Sequence, residues 1–302
     1  MTDIIEHQPY VTDEAEGDGW RMLLGDSCER LAELDDDSVD LSVYSPPFAS
    51  LYTYSPSERD LGNSSNDGEF FEHYKFILRE LLRVTKPGRN SCVHVQQVTM
   101  AKANYGYVGM SDFRGEVIRA HQEAGWIFYG EVTVDKDPQA QAIRTKAHCL
   151  MFQTLRRDSA ANRPALADYL LLFKKHGDNE VPISPDVTNE EWIEWAHPIW
   201  HGIRESNTLQ YQSARDNDDE RHICPLQLEF IERCVRLWSN PGELVLSPFG
   251  GIGSEGHVSI LHKRRFIGCE LKPSYWATAV KNLQLAEATR DLPQLFDESP
   301  EQ

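Results

Sequence analysis

The short apolar run Val39-Asp40-Leu41-Ser42-Val43 ends at Tyr44-Ser45-Pro46-Pro47-Phe48. Two consecutive prolines remove two backbone donors and fix two φ angles, so the chain leaves the sheet rigidly there with its carbonyls unpaired. A rigid, acceptor-rich turn at the carboxyl end of a strand is a binding edge. A second turn of chemical interest follows Leu244-Val245-Leu246 and reads Ser247-Pro248-Phe249-Gly250-Gly251-Ile252-Gly253-Ser254. It is a strand–loop–helix junction in which Gly251 and Gly253 permit close backbone approach. Two carboxylates belong with it. Glu270 lies 17 residues past Gly253 at the end of the next strand, where a carboxylate holds ribose hydroxyls. Asp26, after Gly25, suits either a helix N-cap or an acceptor for the exocyclic amine of adenine.

The elements that must position these turns follow from periodicity. Trp20–Leu24 reads as a strand and Cys28–Leu34 as a helix. Glu69–Thr85 carries apolar residues at helical spacing, stopped by Lys86-Pro87-Gly88. Strands are expected at 91–98, 126–134 and 168–173, with a helix capped by Ser111-Asp112 and closed by Gly125 between the first two. The last of these strands is expected to be antiparallel. Helices are expected at 225–238, 255–262 and 273–288, around strands 244–246 and 266–270. Residues 49–68, rich in Ser, Tyr, Asn and Asp, read as a lid over the site.

The Gly-rich turn alone leaves two readings open, because Gly251-x-Gly253-x-x-Gly256 also fits a dinucleotide fingerprint and with it an NAD-dependent oxidoreductase. The flanking residues separate them. Ser45-Pro46-Pro47-Phe48 resembles the (Asp/Asn/Ser)-Pro-Pro-(Tyr/Phe) motif of DNA methyltransferases that modify exocyclic amino groups. Pro248-Phe249-x-Gly251-x-Gly253-Ser254 is similar to the Asp-Pro-Phe-x-Gly-x-Gly-(Thr/Ser) motif with which those enzymes bind S-adenosylmethionine, and Ser247 stands where the family has Asp. The resemblance covers Trp20 to Ala288, and its motif order, catalytic turn first, resembles the permuted beta group of N4-cytosine and N6-adenine enzymes.

That resemblance implies a seven-stranded class I, Rossmann-like α/β methyltransferase fold, circularly permuted, with an inserted recognition region. It divides the chain into an acidic arm (1–18), a catalytic half (19–176), a target-recognition insert (177–222), a cofactor half (223–288) and an acidic tail (289–302). It assigns Ser45 and the Pro46 carbonyl to the target amino group, Pro47 to the rigid turn and Phe48 to stacking on a flipped base. It assigns Asp26, Pro248, Phe249, Gly251, Gly253, Ser254 and Glu270 to the cofactor. Cytosine N4 is slightly favoured over adenine N6. A DNA-binding protein without catalysis is a third reading, since Ser247 departs from the motif.

Composition bounds the rest. The 302 residues, 40% hydrophobic and 26% charged, are those of a globular protein, and no run of about eighteen apolar residues suggests a membrane span. A cytoplasmic protein is expected. The six cysteines show no Cys-x-x-Cys spacing, so neither a zinc site nor a disulfide framework is expected, and the absence of a Pro-Cys dipeptide disfavours cytosine-C5 chemistry. Net charge is −18, which opposes phosphate binding, but charge is segregated. Residues 1–40 hold 13 acidic and 2 basic residues, whereas 136–176 hold 8 basic against 3 acidic. Arg144, Lys146, Arg156 and Arg157 in that segment are the candidate contacts to double-stranded DNA. The apolar residues Tyr105, Tyr107, Val108 and Met110 in a Gly-containing loop suggest a homodimer contact.

Overall fold

The structure, a computed structural model, describes residues 11–47, 67–100, 102–145, 150, 156, 158–210 and 225–291. In chain order the strands are β1 (Asp13–Gly17), β2 (Trp20–Leu24), β3 (Val39–Tyr44), β4 (Thr85–Gln96), β5 (Val98–Met100), β6 (Gly109–Ser111), β7 (Ile127–Val134), β8 (Asp168–Lys174), β9 (Ile199–Trp200), β10 (Leu244–Ser247) and β11 (Arg265–Glu270). The helices are α1 (Ser27–Ala32), α2 (Asp67–Val84), α3 (Lys102–Tyr105), α4 (Phe113–Glu123), α5 (Pro138–Thr145), α6 (Asn189–Trp195), α7 (Leu228–Trp238), α8 (Ser254–Leu261) and α9 (Pro273–Thr289). The elements expected from 20 to 34, at 69–98, 111–134 and 168–173 and after 225 stand with shifted ends, while α3 and the β5–β6 pair fill a stretch for which no element was expected.

One sheet organises the molecule, in the order β1-β2-β11-β10-β3-β4-β8-β7-β9. Its seven central strands, β2 to β7, are parallel except β8, which runs antiparallel to both β4 and β7. This is the expected seven-stranded class I α/β fold, extended by one short strand at each edge. Strands buried on both faces explain the apolar runs. Along β10, Leu244 and Leu246 pack with α2 and α4 while Val245 packs with α7, α8 and α9. Asp112 caps α4 by accepting from the Gly115 amide, and Gly125 closes it at φ +104°.

Two expectations need correction. Residues 13–17, read as part of an unstructured acidic arm, form β1, which pairs antiparallel with β2. Their side chains are almost all exposed, so no apolar face marks the strand. Residues 177–210, read as the first part of a target-recognition insert, hold α6 and β9, and β9 joins the central sheet by pairing with β7. Trp200 is buried against Phe230 (5.9 Å between ring centroids) and Trp238 (6.3 Å), and its Nε1 donates to the Trp195 carbonyl at 2.9 Å. Trp195 is buried too, so both serve packing. Trp192 is exposed. The expected lid, 49–68, lies outside the described residues except for its last two, which open α2, and the tail lies outside them from residue 292.

A buried ionic cluster fixes the amino ends of β3, β4 and β10. The Arg89 guanidinium, 1% exposed, donates to both oxygens of Glu243, at 3.0 Å from Nη1 to Oε2, and lies 3.5 Å from Asp40 Oδ1. Asp40 also accepts from the Leu244 amide at 2.9 Å, and Glu243 from the Asn240 amide at 2.8 Å. Removing Glu243 leaves the buried guanidinium with Asp40, which is 3.5 Å away and already pairs with Lys86 at 2.7 Å. Glu243→Ala is therefore expected to lose about 3–5 kcal/mol of unfolding free energy in a denaturant titration. A loss under about 1 kcal/mol would show that the cluster is solvated.

Candidate functional site

The parallel strands β2, β11, β10 and β3 all end on one edge of the sheet, and each delivers one candidate group there. Register places Leu24 beside Glu270, Ser247 beside Gly268, and Leu246 beside Ser42. From β10 the chain passes through α8 to β11 on one side. From β3 it passes through α2 to β4 on the other. The crevice between the ends of β10 and β3 is thus the point where the winding reverses, the usual ligand position in open α/β sheets. Ser45-Pro46-Pro47 and the Gly-rich turn face each other across it. Permuted chain order separates them by some two hundred residues, and the fold makes them neighbours.

The Gly-rich turn is tied down from below. Gly250 N donates to the Cys269 carbonyl at 2.7 Å, Gly253 N to the Gly250 carbonyl at 2.8 Å, and the Pro248 carbonyl accepts from Ser27 Oγ at 2.5 Å. Glu270 Oε2 accepts from Gly251 N and Oε1 from Lys272 N, both at 2.8 Å, while its carbonyl accepts from Gly25 N at 2.9 Å. This links three strand ends into one rigid floor. The glycines serve different ends. A Cβ on Gly250 would meet Met22 Cε at 2.6 Å, and one on Gly253, where φ is +85°, would meet Ala279 at 3.2 Å. At Gly251, φ +51°, a Cβ would meet nothing within 4 Å. Only Gly251 borders open space.

Two hydroxyls here are buried and lack a hydrogen-bond partner among the described residues: Ser247 Oγ and Ser254 Oγ. A buried unpaired hydroxyl costs free energy unless something completes it. Asp26 is the N-cap of α1, its Oδ1 accepting from Cys28 N at 2.9 Å and Glu29 N at 3.4 Å. The cap reading of this residue holds, beside whatever else it does. Glu255, buried in the first turn of α8, carries no signal in the sequence that singles it out. Burial first, and then the charge of Glu270, push its carboxyl up to about 8.

Behind the other turn lies an aromatic layer. Phe249 packs on Tyr44 (5.8 Å between ring centroids) and Tyr74 (6.3 Å), so the two turns share a floor. The Tyr44 hydroxyl lies 3.2 Å from that of Tyr74 and 3.0 Å from His121 Nε2, and His121 Nδ1 donates to the Val117 carbonyl at 2.7 Å. Burial pushes the His121 imidazole down to about 3, so it stays neutral. Ser45, half-buried, donates to the His94 carbonyl at 3.2 Å. Phe48 lies outside the described residues.

The basic segment is not one surface. Lys136 is buried and sits 2.7 Å from Asp168 Oδ2. Because β8 is antiparallel, Lys174 and Lys175 fall at the opposite edge of the sheet from Ser45, and Lys175 pairs with Asp37 at 2.6 Å. Arg144 lies in the last turn of α5, and Arg156 is exposed. Lys146 and Arg157 lie outside the described residues. No helix among the described residues is long and apolar enough to cross a membrane, and no group of three or more His, Cys, Asp or Glu among them could hold a metal.

Comparison with known proteins agrees with the fold. The type II methyltransferase M.Cfr9I of Citrobacter freundii is 24% identical over 300 residues, covering 91% of each chain. Among solved structures, TTHA0409 of Thermus thermophilus, complexed with S-adenosyl-L-methionine, superposes with a TM-score of 0.65 at 22% identity, over 87% of this chain and 94% of that one. The cytosine-N4-specific PvuII DNA methyltransferase gives 0.61 at 20% identity, over 92% and 88%. The sequence model of the N6/N4 DNA methylase family matches residues 39–281, a span that starts at the strand leading to Ser45 and runs past the Gly-rich turn. The chain belongs to that family of DNA methylases.

Proposed function

We propose that this protein transfers a methyl group from S-adenosylmethionine to the exocyclic amino group of a base flipped out of double-stranded DNA, with cytosine N4 slightly favoured over adenine N6. The observation that carries this is the meeting of the two turns across the β3–β10 crevice. The residues present fit the cofactor. Gly251 leaves open space above the turn, and Ser247 Oγ and Ser254 Oγ are buried donors in want of an acceptor. In this reading Glu270 holds the ribose hydroxyls and Asp26 accepts from the adenine amine. Pro248, Phe249 and Gly253 shape the cradle. When bound, the cofactor supplies an electrophilic methyl on a sulfonium.

The chain's own part is to make an aromatic amine nucleophilic. Its lone pair is delocalised into the ring, and two acceptors on the amino hydrogens pull the nitrogen toward tetrahedral geometry. Ser45 Oγ and the Pro46 carbonyl are those acceptors. Pro47 keeps the carbonyl from joining a ladder, and Phe48 stacks on the base. The cytosine-N4 preference rests on the Ser-Pro-Pro form, which is commoner among the cytosine-N4 enzymes that this chain resembles. Residues 177–222 serve target recognition in this reading. Calorimetry with S-adenosylmethionine and with NAD, then nucleoside mass spectrometry of treated DNA, tests it. Heat with NAD alone would overturn it, and N6-methyladenine would overturn the base assignment.

Two parts of the proposal concern surfaces. Tyr105, Tyr107, Val108 and Met110, each more than half exposed, surround the β5–β6 hairpin and offer a homodimer contact. A monomer mass by light scattering at micromolar concentration would count against it. Arg144, Lys146, Arg156 and Arg157 are proposed to meet phosphates. Charge reversal of Arg144 and Lys146 is expected to weaken binding to all DNA sequences and flatten the log–log salt dependence by roughly one unit per lost contact. Cofactor affinity should not move.

A further inference from the structure

Behind Ser45 a row of polar side chains runs into the protein. Ser45 Oγ lies 3.4 Å from His94 Nδ1, and His94 Nε2 lies 3.0 Å from Asp168 Oδ2. Lys136 Nζ is 2.7 Å from that same oxygen, and Gln96 Nε2 donates to Asp168 Oδ1 at 2.6 Å. His94, Asp168 and Lys136 are buried, and Phe230 of α7 meets the imidazole edge-on at 5.0 Å. Four elements contribute: β3, β4, β8 and the residues after β7. Buried ion pairs are no more stabilising than well-packed apolar residues, so stability alone does not account for the row. It reaches the crevice at one residue, Ser45.

We propose that His94, oriented by Asp168, is the positioning residue through which Ser45 takes the proton that the target amino group must lose. This rests on the function proposed above. As the amino nitrogen bonds the methyl carbon, the carbon–sulfur bond breaks and its electron pair stays on sulfur, leaving the nitrogen positive with a proton to shed. That proton passes to Ser45 Oγ while the hydroxyl, turned away from the His94 carbonyl 3.2 Å off, gives its own proton to His94 Nδ1. The imidazolium formed is paired with the Asp168 carboxylate. For this, Nδ1 must carry the lone pair and Nε2 the hydrogen, the tautomer that an accepting carboxylate at Nε2 selects. Burial would raise the Asp168 carboxyl, but His94 and Lys136 outweigh it and hold it down at about 2, so it accepts throughout the working range. The 3.4 Å separation is long for a hydrogen bond, as is common before substrate binds.

The test joins single-turnover methyl transfer between pH 5 and 8.5 with nitrogen-15 histidine NMR of the free protein, using wild type, His94→Asn and Asp168→Asn. Cofactor affinity is measured for each. The wild-type rate is expected to fall as pH is lowered. His94→Asn should be roughly 10²-fold slower at pH 8 and lose that fall. NMR should show the Nε2–H tautomer in wild type and its exchange for Nδ1–H in Asp168→Asn, whose carboxamide can donate to Nε2. A flat wild-type profile, a His94→Asn profile that keeps the acid fall, or a wild-type Nδ1–H tautomer would each overturn the proposal alone. If His94→Asn does not fold, the wild-type profile and the tautomer still decide. Wild type that binds the cofactor and methylates no DNA overturns this proposal together with the function it rests on.

Discussion

Gly251→Asn is expected to leave the protein folded and to weaken S-adenosylmethionine binding by about a hundredfold or more. The three glycines of the turn differ in what a side chain would meet. At Gly250 an added carbon collides with Met22 and at Gly253 it presses on Ala279, so substitutions there disturb packing between the turn, β2 and α9. At Gly251 the only intrinsic obstacle is φ +51°, which costs an ordinary L-residue roughly 1–2 kcal/mol. Asn tolerates that region better than other residues. Its side chain would instead project into the space above the turn, where the proposal puts the cofactor. Thermal melts and calorimetry separate the two effects. An unchanged affinity in a folded Gly251→Asn protein would move the cofactor elsewhere, whereas Gly250→Ala should lose stability first and binding with it.

The same contrast explains what the sequence could disclose. Both turns were legible because each is a contiguous stretch whose prolines or glycines impose a backbone shape. The class of fold was legible because strands buried on both faces must be apolar throughout. The row behind Ser45 was not. Its members are separated by 49 residues between Ser45 and His94 and by 74 between His94 and Asp168, and they meet only because β8 runs antiparallel beside β4. Lys136 misleads for the same reason. A tally of basic residues cannot tell a cation paired inside the protein from one facing solvent. The edge strand β1 escapes a pattern search because a strand at the rim of a sheet needs no apolar face, and Trp200 reads as part of a free insert because β9 is only two residues long.

Folding also sets where on the sheet charge can be used. Asp26 follows β2, Glu270 ends β11 and Glu255 lies in the first turn of α8 after β10, and a site that is to receive a sulfonium benefits from negative charge. Too much of it strains the turn. With Glu255 protonated, Glu270 does not face a second charge from α8.

That protonation has a measurable consequence for stability. The Glu255 carboxyl rises from 4.5 to about 8 on folding, so the folded protein holds a proton that the unfolded chain has released between those values. Its contribution is fully present below pH 4.5 and is lost as pH rises to 8. His121 acts oppositely on the acid side. Its imidazole falls from 6.5 to about 3, so the unfolded chain takes up a proton that the folded protein refuses, and stability is lost as pH drops below 6.5. Asp168, lowered from 3.8 to about 2, adds to that acid loss. The Glu255 and His121 slopes cancel between pH 4.5 and 6.5, which places the stability maximum in that window for these groups. Glu255→Gln keeps the shape and removes the titration, so at pH 8.5 it should be more stable than wild type by on the order of 4–5 kcal/mol, with almost no gain at pH 4.5. Melting curves of both proteins across pH 4 to 9 check this. If Glu255→Gln declines above pH 6.5 as steeply as wild type, the carboxyl is ionised in the folded protein and the turn carries both charges.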